Sequence, residues 1–174
     1  MELRIYNTVQ NWSLSERVWF NAVWFQCTWL CCVLGREPWL FAGAAMLCLH
    51  FILVRDALAE MRKILPLALL GIAVDALLSV SGVFDFGSGV MVPLWLVVLW
   101  LAFSTTLTRS LAIFARYRWL AALIGGIGVP FNYGVGAKLG AVSLPLGTGV
   151  TAAILVPLWL VLLPSLYRLS LIHI

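Results

Sequence analysis

The sequence predicts an all-α fold: a polytopic membrane bundle of six transmembrane helices with both termini cytoplasmic. Three observations carry this. The 174-residue chain is 63% hydrophobic and only 10% charged, against roughly 45–50% and about 25% in ordinary soluble domains, and its mean hydropathy is +1.04. Its apolar residues fall into six stretches of near-spanning length, separated by short polar or Gly/Pro-rich turns. Its Lys and Arg residues concentrate in alternate connections, as membrane topology demands. So little charge cannot cover a water-facing surface, which excludes a soluble globule, a disordered chain and a disulfide-rich secreted module.

The elements follow in order. Residues 1–16 are short and polar, and Ser13-Leu14-Ser15-Glu16 offers helix-capping chemistry. Val18–Gly35 is the first span; it lacks a small-residue cleavage site and runs straight into more apolar sequence, so it reads as a retained helix and not a signal peptide. Gly35-Arg36-Glu37-Pro38 closes one helix and opens the next, over Trp39–Val54. Arg55–Lys63 is the most charged segment and precedes a third span, Ile64–Val83. The turn-rich Phe84–Gly89 leads to a fourth, Val90–Thr108, entered through Pro93. Three arginines around SLAIFA suggest that this helix continues amphipathically over Arg109–Arg118. The Gly-rich fifth span covers Trp119 to about Ala141, and the sixth Val150–Tyr167. Each crossing needs roughly 20 residues for about 30 Å of hydrocarbon. Residues 1–168 therefore read as a single six-helix domain. Leu169–Ile174 can be encoded by CTG TCT CTT ATA CAC ATC, a transposon-end adapter sequence used in library preparation; residues 169–174 are expected to be a non-native tail, and His173 is given no role.

With the N-terminus inside, Arg4, Arg17, Arg55, Arg62, Lys63, Arg109, Arg116, Arg118 and Arg168 lie on the cytoplasmic side, and only Arg36 and Lys138 on the other. That bias fixes the orientation. It also explains the net charge of +4 without nucleic acid, since no basic stripe interleaves with aromatics. Cys27, Cys31, Cys32 and Cys48 all lie in apolar runs and read as small hydrophobes, with no metal set and no disulfide framework. Trp12, Trp19, Trp39 and Trp119 sit near span ends as interface anchors. VPLWLV occurs twice, at Val92–Val97 and Val156–Val161, but the flanking residues do not align, which favours a chance match over a duplication.

Asp75 is the most informative residue, a carboxyl about twelve residues into an apolar span. Such a group must be paired, protonated or in a wet cavity, and is as readily structural as functional. At about 1.5 Å per residue it lies roughly 17 Å from the cytoplasmic boundary, with Asn132 and Tyr133 near 20 Å. Asp75, Asn132 and Tyr133 therefore form the candidate intramembrane site, with Lys138 at its mouth. A secondary polar layer nearer the cytoplasm holds Gln26, His50, Ser104, Thr105 and Thr106; Ser and Thr there usually bond their own backbone. Pro130 is expected to kink or break the fifth helix, and Gly136 and Gly140 to let a neighbouring helix approach. GVGAKLGA is no phosphate loop, because the Gly-Lys-Ser/Thr ending is missing.

The succession LLGIAVDALLSVSGV, PLWLVVLWLAFSTTL and GGIGVPFNYGVGAKLGA, after FNAVWFQCTWLCCVLG, resembles the domain-of-unknown-function 2878 family of small bacterial multi-pass membrane proteins, over about Asn21 to Tyr167. The positions carrying the resemblance are Asp75, Pro93, Trp95, Trp100, Phe103, Thr106, Pro130, Tyr133, Gly136, Leu139 and Gly140, and Lys138 stands where an Arg is expected. The resemblance implies the bacterial inner membrane and brings no activity. The residues then favour a non-enzymatic protein that binds or translocates a small hydrophobic or lipid-like molecule, with membrane lipids as partners and no cofactor or nucleic acid. An intramembrane enzyme acting on lipid or fatty acid, using Asp75 with Tyr133 or Lys138, is a second reading, although no His cluster, paired carboxylates or Ser-His arrangement supports it. An accessory subunit of a membrane complex is a third.

Overall fold

Six α-helices account for most of the computed structural model, which describes residues 17–172 apart from residue 88. They are α1 (Val18–Gly35), α2 (Leu40–Leu53), α3 (Ala57–Val80), α4 (Leu94–Thr108), α5 (Arg118–Lys138) and α6 (Gly147–Ile172), with short 3-10 turns at Glu37–Trp39 and Ala112–Arg116. The capping motif at Ser13–Glu16, Arg4, Trp12 and His173 lie outside the described residues. The helices α1, α3, α5 and α6 are long and apolar enough to cross a membrane. This is an all-helical, membrane-embedded chain.

Helix limits follow local chemistry. The Asp56 side chain accepts from the Ala59 N–H at 2.9 Å, so α3 starts at Ala57 and the charged segment forms its first turns. The helix closes at Gly82 (φ 75°), where the Val83 N–H reaches back to Leu78 O at 2.9 Å and the Gly82 N–H to Ser79 O at 3.0 Å. Helix α4 stops at Thr108: its expected amphipathic extension is instead a turn followed by 3-10 structure. The Arg109 and Leu111 N–H groups both fold back onto Thr106 O, ending the α-helical ladder there.

Short α4 is the hub, packing against α1, α2, α3 and α6. It buries Trp95, Leu96, Trp100, Ala102 and Leu107 among its neighbours. Helices α5 and α6 pack along their length because Gly125 and Gly126 carry no side chain: a Cβ at Gly125 would overlap the Trp159 carbonyl, and one at Gly126 would lie 2.8 Å from Leu160 Cγ. Gly136 and Gly140 do not play this part. A Cβ at Gly136 would meet only Val142, at 3.9 Å, and one at Gly140 would meet nothing within 4 Å. Gly140 (φ 76°) instead terminates α5, with the Ala141 N–H bonded to Gly136 O at 2.9 Å and its own N–H to Ala137 O at 3.0 Å. The break expected at Pro130 is likewise absent, as α5 runs through it without interruption.

Alternate connections meet at opposite ends. At one end Arg36 donates to Gly140 O (2.8 Å), Glu37 accepts from the Leu94 N–H (2.8 Å), and Asp85 and Ser143 exchange backbone bonds of 3.0 and 2.7 Å. At the other, the α2–α3 and α4–α5 connections converge on Glu60 and Arg109.

Candidate functional site

Asp75 is fully buried and accepts three contacts: Trp100 Nε1–H to Oδ2 at 2.7 Å, and Tyr133 Oη–H to Oδ1 and Oδ2 at 2.6 and 2.7 Å. One carboxyl thus ties α3 to α4 and α5. Gly71, one turn before Asp75, makes this possible, since a Cβ there would overlap the six-membered ring of Trp100. The six-membered ring of the indole occupies the slot left by the glycine, and its N–H reaches the carboxyl. Its outer face stacks on Trp159 (5.9 Å, 10°), and Tyr133 stacks on Phe84 (4.4 Å, 21°). Both rings are therefore held by packing as well as by their hydrogen bonds.

Of the four expected site residues, Asp75 and Tyr133 meet. Asn132 does not reach the carboxyl: adjacent helical residues point about 100° apart, and with Tyr133 aimed at Asp75 the Asn132 side chain is exposed. Lys138, in the last turn of α5, is also exposed and has no ion-pair partner among the described residues. Trp100 replaces Asn132 as the second ligand of the carboxyl. The signal for it was present, since an indole N–H on a buried apolar helix needs an acceptor.

Trp100 and Tyr133 also form part of the wall of a cavity of about 100 Å³. It lies between α1 and α5, which do not pack against each other, with the floor made by α4 and α6. Phe25, Trp29, Trp95, Phe103 and Trp159 line it, and Phe86, Ala141 and Val142 from the laced loops close one end. Asn132 and Gly136 complete its α5 side. No charged side chain lines it, and Asp75 stands behind the Trp100–Tyr133 wall. Trp95 and Trp159, the tryptophans of the two VPLWLV segments, both contribute, but Pro93 caps α4 whereas Pro157 lies inside α6. The Trp159 Nε1 and Thr151 Oγ1 atoms are buried without a partner among the described residues.

The secondary layer is a second cluster with a different membership. Glu60 takes both guanidinium nitrogens of Arg109, Nη1 to Oε1 and Nη2 to Oε2, the latter at 2.8 Å, and lies 3.3 Å from His50 Nε2. His50 packs at a tilt against Trp24 (4.9 Å, 33°), and Glu60 and His50 are buried. Beside it the Asn21 amide donates to Thr105 Oγ1 (3.0 Å) and accepts from Ser110 Oγ (2.7 Å). Ser104, Thr105 and Thr106 each donate to their own helix, at Trp100 O, Ala102 O and Phe103 O. Gln26 is exposed and belongs to neither cluster. The four cysteines are free, and no group of three His, Cys, Asp or Glu side chains could hold a metal among the described residues.

No match was found among curated proteins or among solved structures. A family model does match, over residues 18–165, which is most of the chain and includes both clusters and the cavity lining. The chain belongs to the family described as protein of unknown function (DUF2878).

Proposed function

We propose that this protein is a bacterial inner-membrane protein of six crossing helices whose cavity between α1 and α5 binds or translocates a small hydrophobic or lipid-like molecule. The observation that carries the reading is the cavity itself: about 100 Å³, half of its lining side chains aromatic and none charged. Apolar pockets with few placed polar groups are the usual form of small-molecule sites. Asp75 supports binding over acid–base chemistry, because both its oxygens are taken by Tyr133 and Trp100 and it does not line the cavity. It acts as a positioning group for two walls of the pocket. Residues 1–168 form the one domain of this reading, with Arg62 and Arg116 at the cytoplasmic face.

Two measurements test it. Lipids extracted from the detergent-purified parent and from Gly136→Leu are compared by mass spectrometry. Gly136 lines the cavity and a Cβ there would meet only Val142, at 3.9 Å, so a leucine side chain is directed to occupy cavity space. A hydrophobic molecule should accompany the parent and be lost from the variant; equal recovery from both overturns the binding reading. Reporter fusions at Gly87 and Gly147 should read as external, and an internal signal at either breaks the six-span topology.

A further inference from the structure

The Asn132 side chain is an anomaly in this setting. It lies well inside the apolar helix α5, lines the cavity, is exposed, and makes no hydrogen bond to any described residue. A primary amide offers two donors and one acceptor, and leaving them unpaired at membrane depth is costly. Tyr133 and Trp100 already donate to Asp75, and the unpaired Trp159 Nε1–H can only donate. The amide is therefore the one group on this wall able to bond an occupant in both directions.

Three features then restrict that occupant. No lining side chain is charged, so a phosphate, a quaternary amine or a free carboxylate would enter without a counter-charge. The half-buried rings of the lining, Phe25, Trp29 and Phe103 among them, favour a flat partner over a saturated chain. The volume is small as well. An apolar cavity of about 150 Å³ takes one benzene, so about 100 Å³ leaves room for no more than one ring-sized unit and excludes a phospholipid headgroup. The rest of a long molecule would leave through the gap between α1 and α5, where Ile127 and Phe131 are exposed along α5.

We infer that the cavity takes the flat, neutral head of an unsaturated or ring-bearing lipid, with a carbonyl or hydroxyl oxygen held by the Asn132 amide. This rests on the binding reading above and narrows it to a chemical class. The apolar tail lies in the bilayer, and the head lies against the Phe25 and Trp29 rings of α1, opposite the Trp100–Tyr133 wall.

The test uses the full chain purified in detergent and two probes, a decyl-substituted 1,4-benzoquinone (flat, neutral, with carbonyl oxygens) and palmitate (saturated, anionic). Binding is read by tryptophan fluorescence quenching and by the shift in unfolding temperature. The quinone should bind the parent better than palmitate does. Asn132→Leu should weaken quinone binding about tenfold, the size of one hydrogen bond in affinity, while the unliganded variant unfolds no earlier than the parent. Gly136→Leu should abolish binding. If palmitate binds as well as the quinone and Asn132→Leu changes neither, while Gly136→Leu removes both, the cavity reading stands and the ligand class is overturned. If neither probe binds, or Gly136→Leu alters nothing, the cavity reading fails and this inference fails with it.

Discussion

On α3, Glu60 accepts from the Arg109 guanidinium and lies against the His50 ring, whereas Asp75, about four turns further along, accepts only from the neutral Trp100 and Tyr133. Both carboxyls are buried. The first is matched by a cation in a forked pair and does not line the cavity described above; the second is matched by neutral donors that double as that cavity's wall. A forked pair fixes geometry and neutralises charge together, which suits a clamp between helix ends. Neutral donors leave the carboxyl to orient rings, which suits a pocket that must keep its shape and stay apolar. Similar chemistry on one helix thus serves closure at one place and shaping at the other.

The sharpest way to break this contrast is to remove a cation. Arg109→Leu leaves Glu60 buried opposite an apolar group, and losing one partner of a buried pair costs about 3–5 kcal/mol. Thermal unfolding in detergent should show this as the largest loss of any substitution named here. Replacing both residues, as Glu60→Leu with Arg109→Leu, should recover much of it. A double variant as unstable as the single one would mean that the pair is held for something other than charge balance.

At Asp75 the effect should be smaller and should depend on the replacement. Asp75→Leu strands the Tyr133 hydroxyl and the Trp100 N–H, two neutral donors that border the cavity and should cost about 1 kcal/mol each. Asp75→Asn keeps one carbonyl oxygen and should hold one of the two donors, giving a smaller loss on the same unfolding curve. Asn as damaging as Leu would show that the carboxyl needs its charge, and would draw it towards the Glu60 pattern. Gly71→Val tests the same wall from behind. The added methyls must displace the Trp100 ring, costing about 1–3 kcal/mol of overpacking, and should shift tryptophan emission. Unchanged emission would place the indole elsewhere.

Much of this was legible in the sequence, unevenly. The limits of α1 coincide with the first apolar stretch, and depth along ideal helices brought Asp75 level with Tyr133 although 58 residues separate them. Depth, however, carries no azimuth. It therefore placed Asn132 on the carboxyl as readily as Tyr133, and it passed over Trp100. Close approach is also invisible to spacing: Gly136 and Gly140 fit a packing pattern, yet the tightest contacts between α-helices fall at Gly71, Gly125 and Gly126, where neighbours from other helices decide. The Glu60–Arg109 pair was hidden for a different reason. Charges flanking spans were read as solvated topology signals, and their pairing across 49 residues is tertiary information.

The smallest effect should come from His50, and it sharpens what holds Glu60. The ring nitrogen stands 3.3 Å from Glu60 Oε1, longer than the 2.8 Å bond from Arg109 Nη2 to Oε2. The imidazole is also packed at a tilt on Trp24, whose N–H is occupied by Met46 O at 3.1 Å. Much of what His50 contributes is thus packing against α1, with one long hydrogen bond added. His50→Gln keeps a donor within reach and should lower stability by about 1 kcal/mol or less, from the weaker ring packing and the poorer bond geometry. His50→Leu should cost somewhat more, since Glu60 then relies on Arg109 alone. Combining His50→Leu with Arg109→Leu separates two arrangements on the unfolding curve. If arginine is the principal partner, the double variant should be only slightly worse than Arg109→Leu. If His50→Leu alone matches the Arg109→Leu loss, the histidine shares the carboxylate equally, and the clamp is a three-member network in which neither partner suffices.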